Sequence, residues 1–275
     1  MNGNLTESTD LRSAFERLQA RIAQVTRDAA KVLQISSQAS RLLEPTEAFF
    51  QDHPLVPDTP EYRGLCSYTR SLEERLEQAP QDVFTDDSLL DWVQVAVTGA
   101  ASCMYEVDPQ GAHSFFTQVS GIRDEPSERR KVHEGLARHD PQVANMFQSA
   151  WLELDLPSPD QARGPAFTLR DALTHFLHYF APDDSVRSQA WWEPHNGKRG
   201  ISRADRVEFI YETQLIDGAQ TPLVWNQLIQ IKDLIRALSK AHRRQPLEPG
   251  SLRLEFLRAQ ALLSSLLRFI RLPSA

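Results

Sequence analysis

An all-α fold is predicted by three features of the sequence. Apolar residues recur at helical spacing in nearly every segment, convincing strand alternation is almost absent, and capping residues and prolines punctuate the chain. The first element is a long amphipathic helix. Leu11, Phe15, Leu18, Ile22, Val25, Ala29 and Val32 are spaced alternately four and three apart, a heptad seam of about three repeats. Ser8 or Thr9 caps its start, Ser36 and Ala39 weaken the seam before Leu43, and Pro45 stops it. Such a seam needs a partner, either a second copy of itself or a later helix of the same chain.

Four prolines (Pro45, Pro54, Pro57 and Pro60) then mark a linker or irregular crossover, followed by a polar helix over 61–78. Asp87 opens a helix with Leu89, Val93, Val97, Ala100 and Met104 on one side. Shorter helices are expected at 110–119, 126–139 and 141–153, and alternation at Leu152, Leu154 and Leu156 allows a short strand. A loop rich in Pro, Asp and Gly spans 157–165, and further helices follow at 184–191, 203–215, 222–242 and 250–270. Three stretches result: a heptad helix over 1–45, a Pro-rich crossover and polar helix over 46–85, and a helical domain over 86–275.

Composition bounds the function. The 275 residues are 41% hydrophobic and 24% charged, which excludes wholesale disorder. Cys66 and Cys103 belong to no CxxC pair, so a reducing, cytoplasmic address is expected. The opening residues MNGNLTESTD lack the basic and apolar regions of a signal peptide, and no run reaches the roughly 20 apolar residues that span a bilayer. Net charge is −7, against a general nucleic-acid coat, but residues 231–275 carry nine Lys/Arg against three Asp/Glu. That asymmetry is able to steer a polyanion to one face.

The chemistry concentrates in 167–180. Thr168 is a good N-cap with Asp171 three positions later. At about 100° per residue, Leu169, Leu173, Phe176, Leu177 and Phe180 cover roughly 240–340° measured from Arg170. Arg170, Asp171, Thr174, His175 and His178 fall on the other side. A helix start beneath Arg170 adds unpaired amide donors and a positive dipole end, where phosphate binds readily. Asp171 and His175, four apart, are placed for the carboxylate to fix the imidazole tautomer. Downstream, Ser202 caps the next helix, Lys198, Arg199, Arg203 and Arg206 are placed to track phosphates, and Trp191 or Trp192 either stacks a base or anchors the loop. Asp171, His175 and His178 also read as D-x3-H-x2-H, a rival set of three metal ligands that Arg170 would oppose.

Arg170-Asp171-Ala-Leu-Thr-His175 resembles the HEPN family, whose signature is R-x4-H with Asn, Asp or His after the arginine. With 25 Arg and 8 His in 275 residues, chance gives roughly 0.7 matches to R-x4-H, and the polar second position cuts this to about 0.08, so a single match in an all-α chain carries information. The resemblance covers one helix and its surrounding bundle, half the chain at most. It implies a helical bundle pairing two copies of the motif in a homodimer, and a metal-independent endoribonuclease of toxin or phage-defence type needing no cofactor. Its partners would be RNA (structured RNA or tRNA) and an antitoxin or defence-system protein. In that reading Arg170 clamps the phosphate, His175 is general acid or base, Asp171 orients one of them, and the second copy supplies the complementary group. His178, Lys198, Arg199, Arg203 and Arg206 bind RNA. The competing reading is a non-catalytic helical adaptor that recruits a partner through the seam at residues 11–32.

Overall fold

The computed structural model describes residues 5–7, 9–25, 39–41, 43, 46, 50, 52, 55–57, 59–78, 88–105, 107–108, 110–112, 114, 125–156, 163–194, 200–243 and 249–271. Helices account for almost all of these, as the periodicity predicts. No described helix is long and apolar enough to cross a membrane. The chain forms two compact units. The first comprises residues 1–128 with 253–265, and the second 129–252 with 266–275.

In the first unit, β1 (Leu5–Glu7), ahead of the heptad helix, pairs antiparallel with β2 (Leu55–Pro57), a short strand within what the proline content marks only as a crossover. Pro57 ends its strand, where its missing N–H costs the ladder nothing. Helix α1 (Thr9–Val25) packs on α2 (Pro60–Gln78). Leu11, Phe15, Leu18 and Ile22 are all fully buried. Phe15 stacks on Phe50 at 6.2 Å between ring centroids. Arg17 pairs with Glu73 at 2.6 Å and Arg21 with Glu77 at 2.7 Å. The four-residue step goes the same way on both helices, so α1 and α2 run parallel.

The described half of the seam therefore has its partner within the chain, and the adaptor reading loses that surface; Ala29 and Val32 lie outside the described residues. We expect Leu18→Ala to cost about 2–5 kcal/mol of stability, with a urea midpoint independent of protein concentration. A midpoint rising with concentration would instead place a second copy on the seam.

Helix α3 (Ser88–Tyr105) is largely apolar and is buried on every side over residues 89–101. Asp91 and Trp92 find partners on the returning C-terminal segment of the unit, while Thr98 bonds back to the Gln94 carbonyl of its own helix. Asp91 accepts from Ser264 at 3.0 Å, and the Trp92 indole N–H donates to Ser265 at 2.9 Å. The Tyr68 hydroxyl of α2 donates to the Trp92 carbonyl at 3.1 Å.

The second unit holds α4 (Glu125–Ala137) from Arg129 onward, α5 (Pro141–Asp155), α6 (Arg163–Phe180), α7 (Asp183–Arg187), α8 (Arg203–Phe209) and α9 (Pro222–Arg243). Helix α10 (Pro249–Leu266) then carries the chain back into the first unit at Arg253. Asp140 caps α5 by accepting from the Gln142 amide, with Pro141 in the first turn. Leu152 and Leu154 are helical rather than extended. Arg129 pairs with Asp155 at 2.7 Å and lies 3.6 Å over the Trp151 ring, tying α4 to the end of α5.

Helix α8 passes directly into a π-helical turn at Ile210–Gln214, where a single α-helix to 215 is expected from the sequence. Thr213 bonds back to the Phe209 carbonyl at 2.7 Å, and Tyr211 meets Trp225 edge-on at 5.1 Å. Leu215 then forms an antiparallel bridge with Ile270, flanked by backbone bonds from Ile216 to Phe269 and from Arg271 to Gln214.

Candidate functional site

Helix α6 carries the R-x4-H motif and packs against both α5 and α9. Its buried stripe is Pro165, Ala166, Leu169, Ala172, Leu173, Phe176, Leu177 and Phe180, the apolar side expected from the periodicity. The helix begins earlier than the sequence suggests. It starts at Arg163, with Pro165 accommodated in the first turn, where its missing N–H has no helical partner to lose. Thr168 is consequently not the N-cap. Its hydroxyl donates to the Glu153 carboxylate of α5 at 2.9 Å. Asp171 is not part of a capping box either, and the helix start lies about 10 Å before Arg170 at 1.5 Å per residue. Free amides and the positive dipole end are thus not available beside Arg170.

Side chains supply the charge there instead. The Arg170 guanidinium donates from Nε at 3.1 Å and from Nη2 at 2.7 Å to a single oxygen of Asp171. It also lies 4.3 Å from the centroid of the exposed Phe167 ring. Asp171 therefore fixes Arg170, not the His175 imidazole. His175 is exposed, and no described residue hydrogen-bonds to it. His178, one turn on, is exposed as well. Its imidazole is held below the ordinary value, first by desolvation and then by Arg206, with His175 and Arg203 acting in the same direction and Asp183 against them.

Helix α8 is the second wall. Ser202 accepts from the Asp205 amide at 3.1 Å and its own amide donates to Asp205 at 2.7 Å, a full capping box that fixes the helix start. Arg203, the first helical residue, is exposed. Its guanidinium is pushed below its usual value by desolvation, then by the like charges of Arg170 on α6 and Arg236 on α9. Arg203 thus feels like charges from two other helices that pack together, α6 and α9. Arg236 is partly neutralised by Asp233 at 3.5 Å; among the described residues Arg203 has no ion pair. Sequence reading missed Arg236, because nothing local in 222–242 says which face of α9 meets α6.

Arg206 behaves otherwise. Expected among the RNA-contacting cations, it is 4% exposed and donates to the Ala181 carbonyl and the Asp183 carboxylate. It fastens the end of α6 to α7 and α8, and its donors are spent inside the fold. Lys198 and Arg199 lie outside the described residues. Trp191 is exposed and Trp192 half-buried. The rival metal set does not assemble: among the described residues, no group of three or more His, Cys, Asp or Glu has the geometry to hold an ion.

One face of a single compact unit therefore presents a carboxylate-held arginine, two adjacent imidazoles and a second, unpaired guanidinium. That combination is suited to gripping a phosphodiester and moving protons beside it. No curated protein and no solved structure matches the chain. Residues 137–264, which include all of α5 to α9, match the model of a family described as predicted pPIWI-associating nucleases, and over that stretch the chain is similar to them.

Proposed function

We propose that this protein is a metal-independent endoribonuclease of a defence system, acting at the exposed face of α6. The observation that carries the reading is the juxtaposition of Arg170, His175 and His178 with Arg203 inside the nuclease-like segment. A phosphate seated between Arg170 and Arg203 relieves the repulsion among the guanidinium groups. It also brings the scissile bond to the imidazoles. Arg170 opposes charge developing on the non-bridging oxygens during attack by the ribose 2′-OH. Asp171 keeps Arg170 aimed. Phe167, exposed, lies beneath the Arg170 guanidinium and helps to hold it.

The finer assignments follow from the motif. The HEPN resemblance implies pairing of two copies, and the name of the matched family points to a pPIWI protein as the partner. Lys198 and Arg199 extend the phosphate track by sequence, whereas Arg206 holds the frame. An acidic chain (net charge −7) suits selective cutting of a structured RNA over indiscriminate binding.

The test is incubation of the full-length protein, with and without a pPIWI protein and in excess EDTA, with end-labelled tRNA, total RNA and DNA of matched sequence. We expect RNA fragments ending in 2′,3′-cyclic phosphate and intact DNA. Loss of cleavage in EDTA would return the site to the metal reading, and cleavage of DNA would exclude attack by a 2′-OH.

A further inference from the structure

We propose that His178 and His175 form a complete base–acid pair within one chain: His178 removes the 2′-OH proton and His175 protonates the departing 5′-oxygen. The inference rests on the endoribonuclease reading and deepens it, since the motif assigns only His175 to proton transfer. It also removes the need for a second copy to supply the complementary group.

The helix geometry carries it. Residues three apart on a regular α-helix are surface neighbours, with Cβ atoms about 5–6 Å apart. His175 and His178 both lie within α6, and both are exposed. Arg203 of α8 is among the charges that act on His178, so a phosphate held by Arg203 comes to the imidazole pair, whereas the Arg170 guanidinium is turned toward Phe167 and the start of α6. The two imidazoles have different surroundings. Around His178 stand Arg206 and Arg203 from α8, Asp183 from α7 and His175 from its own helix. Desolvation and three cationic neighbours outweigh the single carboxylate, so His178 is kept neutral and able to accept a proton. A protonated His175 reinforces this, because its charge is among those disfavouring a second proton on His178. Unequal environments for two neighbouring titratable groups are what separates a base from an acid.

The step balances without a co-reactant. The O–H bond of the 2′-hydroxyl breaks and its proton passes to the neutral ring nitrogen of His178. A P–O2′ bond forms and the P–O5′ bond breaks. The 5′-oxygen leaves with the proton of His175. The products are a 2′,3′-cyclic phosphate and a 5′-hydroxyl, with His178 protonated and His175 neutral until solvent exchange resets both.

The experiment compares full-length wild type, His175→Ala, His178→Ala and His178→Gln on a short RNA and on the same RNA with sulfur replacing the 5′-bridging oxygen. A thiolate leaves without protonation, so that substrate bypasses the acid but still needs the base. We expect each variant to lose about 10²–10⁴-fold on the ordinary RNA. On the sulfur substrate His175→Ala recovers most of its rate, and both His178 variants do not. The acidic limb of the pH–rate profile, below the ordinary imidazole range in wild type, disappears in the His178 variants. Mixing His175→Ala with His178→Ala restores nothing if the pair works within one chain. Cleavage by His178→Gln at the wild-type rate and pH profile would overturn the assignment while leaving the endoribonuclease reading intact, as would restoration on mixing. A wild-type protein inert on both substrates would overturn the two together.

Discussion

Arg170→Ala is expected to lower RNA cleavage by about 10²–10³-fold, the usual cost of removing one donor that opposes transition-state charge. The loss should fall mainly on the rate at saturating RNA. On the proposed reading Arg203 remains to bind the ground-state phosphate. Stability should hardly change, because the Arg170 side chain already has solvent on one side and its partner Asp171 is 31% exposed. Arg170→Lys should recover little. A lysine ammonium is a point charge and cannot reproduce the planar fork that lies over Phe167 and meets Asp171 through two donors. Asp171→Asn should fall between wild type and Arg170→Ala, since it weakens the aim of the guanidinium without removing it. Rates under single-turnover conditions, with melting curves alongside, check all three.

The second large effect is structural. Arg206→Ala removes a guanidinium whose side chain is only 5% exposed, orphans the Ala181 carbonyl and releases Asp183. Buried hydrogen bonds to a charged group are worth about 1.5–3 kcal/mol each, and Asp183 is partly solvated, so a net loss of about 2–3 kcal/mol is expected. The pH dependence has a definite sign. Arg206 first of all holds the Asp183 carboxyl below the ordinary carboxylate value. A depressed folded value contributes stability that is fully present above the unfolded pKa, about 3.9, and is lost as pH falls through the folded one. Urea midpoints between pH 6 and 2 should show that acid-side decline in wild type and a weaker one in Arg206→Ala. Removing the Arg206 charge also relieves His178, so the acidic limb of the rate profile should move upward in whatever fraction stays folded. Equal midpoints for wild type and variant at neutral pH would show that Arg206 is not the strap described.

These effects separate what local sequence encodes from what it does not. The 3.6-residue period places the buried stripe of α6 correctly, and the Ser202 cap is readable because a capping box is a contact between residues three apart. Pro165 misleads, since a proline reads equally as the end of a loop or as the first turn of a helix. The fate of Arg206 is unreadable from spacing. It depends on the carbonyl of Ala181, 25 positions away, whereas Arg203, three residues earlier on the same turn, stays exposed. Arg236 enters the site only because α9 packs on α6. The seam of α1 announces that it needs a partner, but no periodicity says that α2 is that partner, with Arg17 and Arg21 paired to Glu73 and Glu77 along its edge.

The route of the backbone has a practical result for anyone who wants the nuclease-like unit alone. Residues 129–252 form an unbroken run, but the ladder that closes off the π-helical turn borrows Ile270 from beyond the excursion through 253–265. Cutting after Leu252 would discard that clasp, with its bonds from Arg271 to Gln214 and Asp217. A single proteolytic nick at 128 would leave both halves still joined through Arg253 and Leu266. The nuclease-like portion is therefore not a transplantable cassette. A minimal version has to splice 252 to 266 with a short bridge, or keep the whole chain.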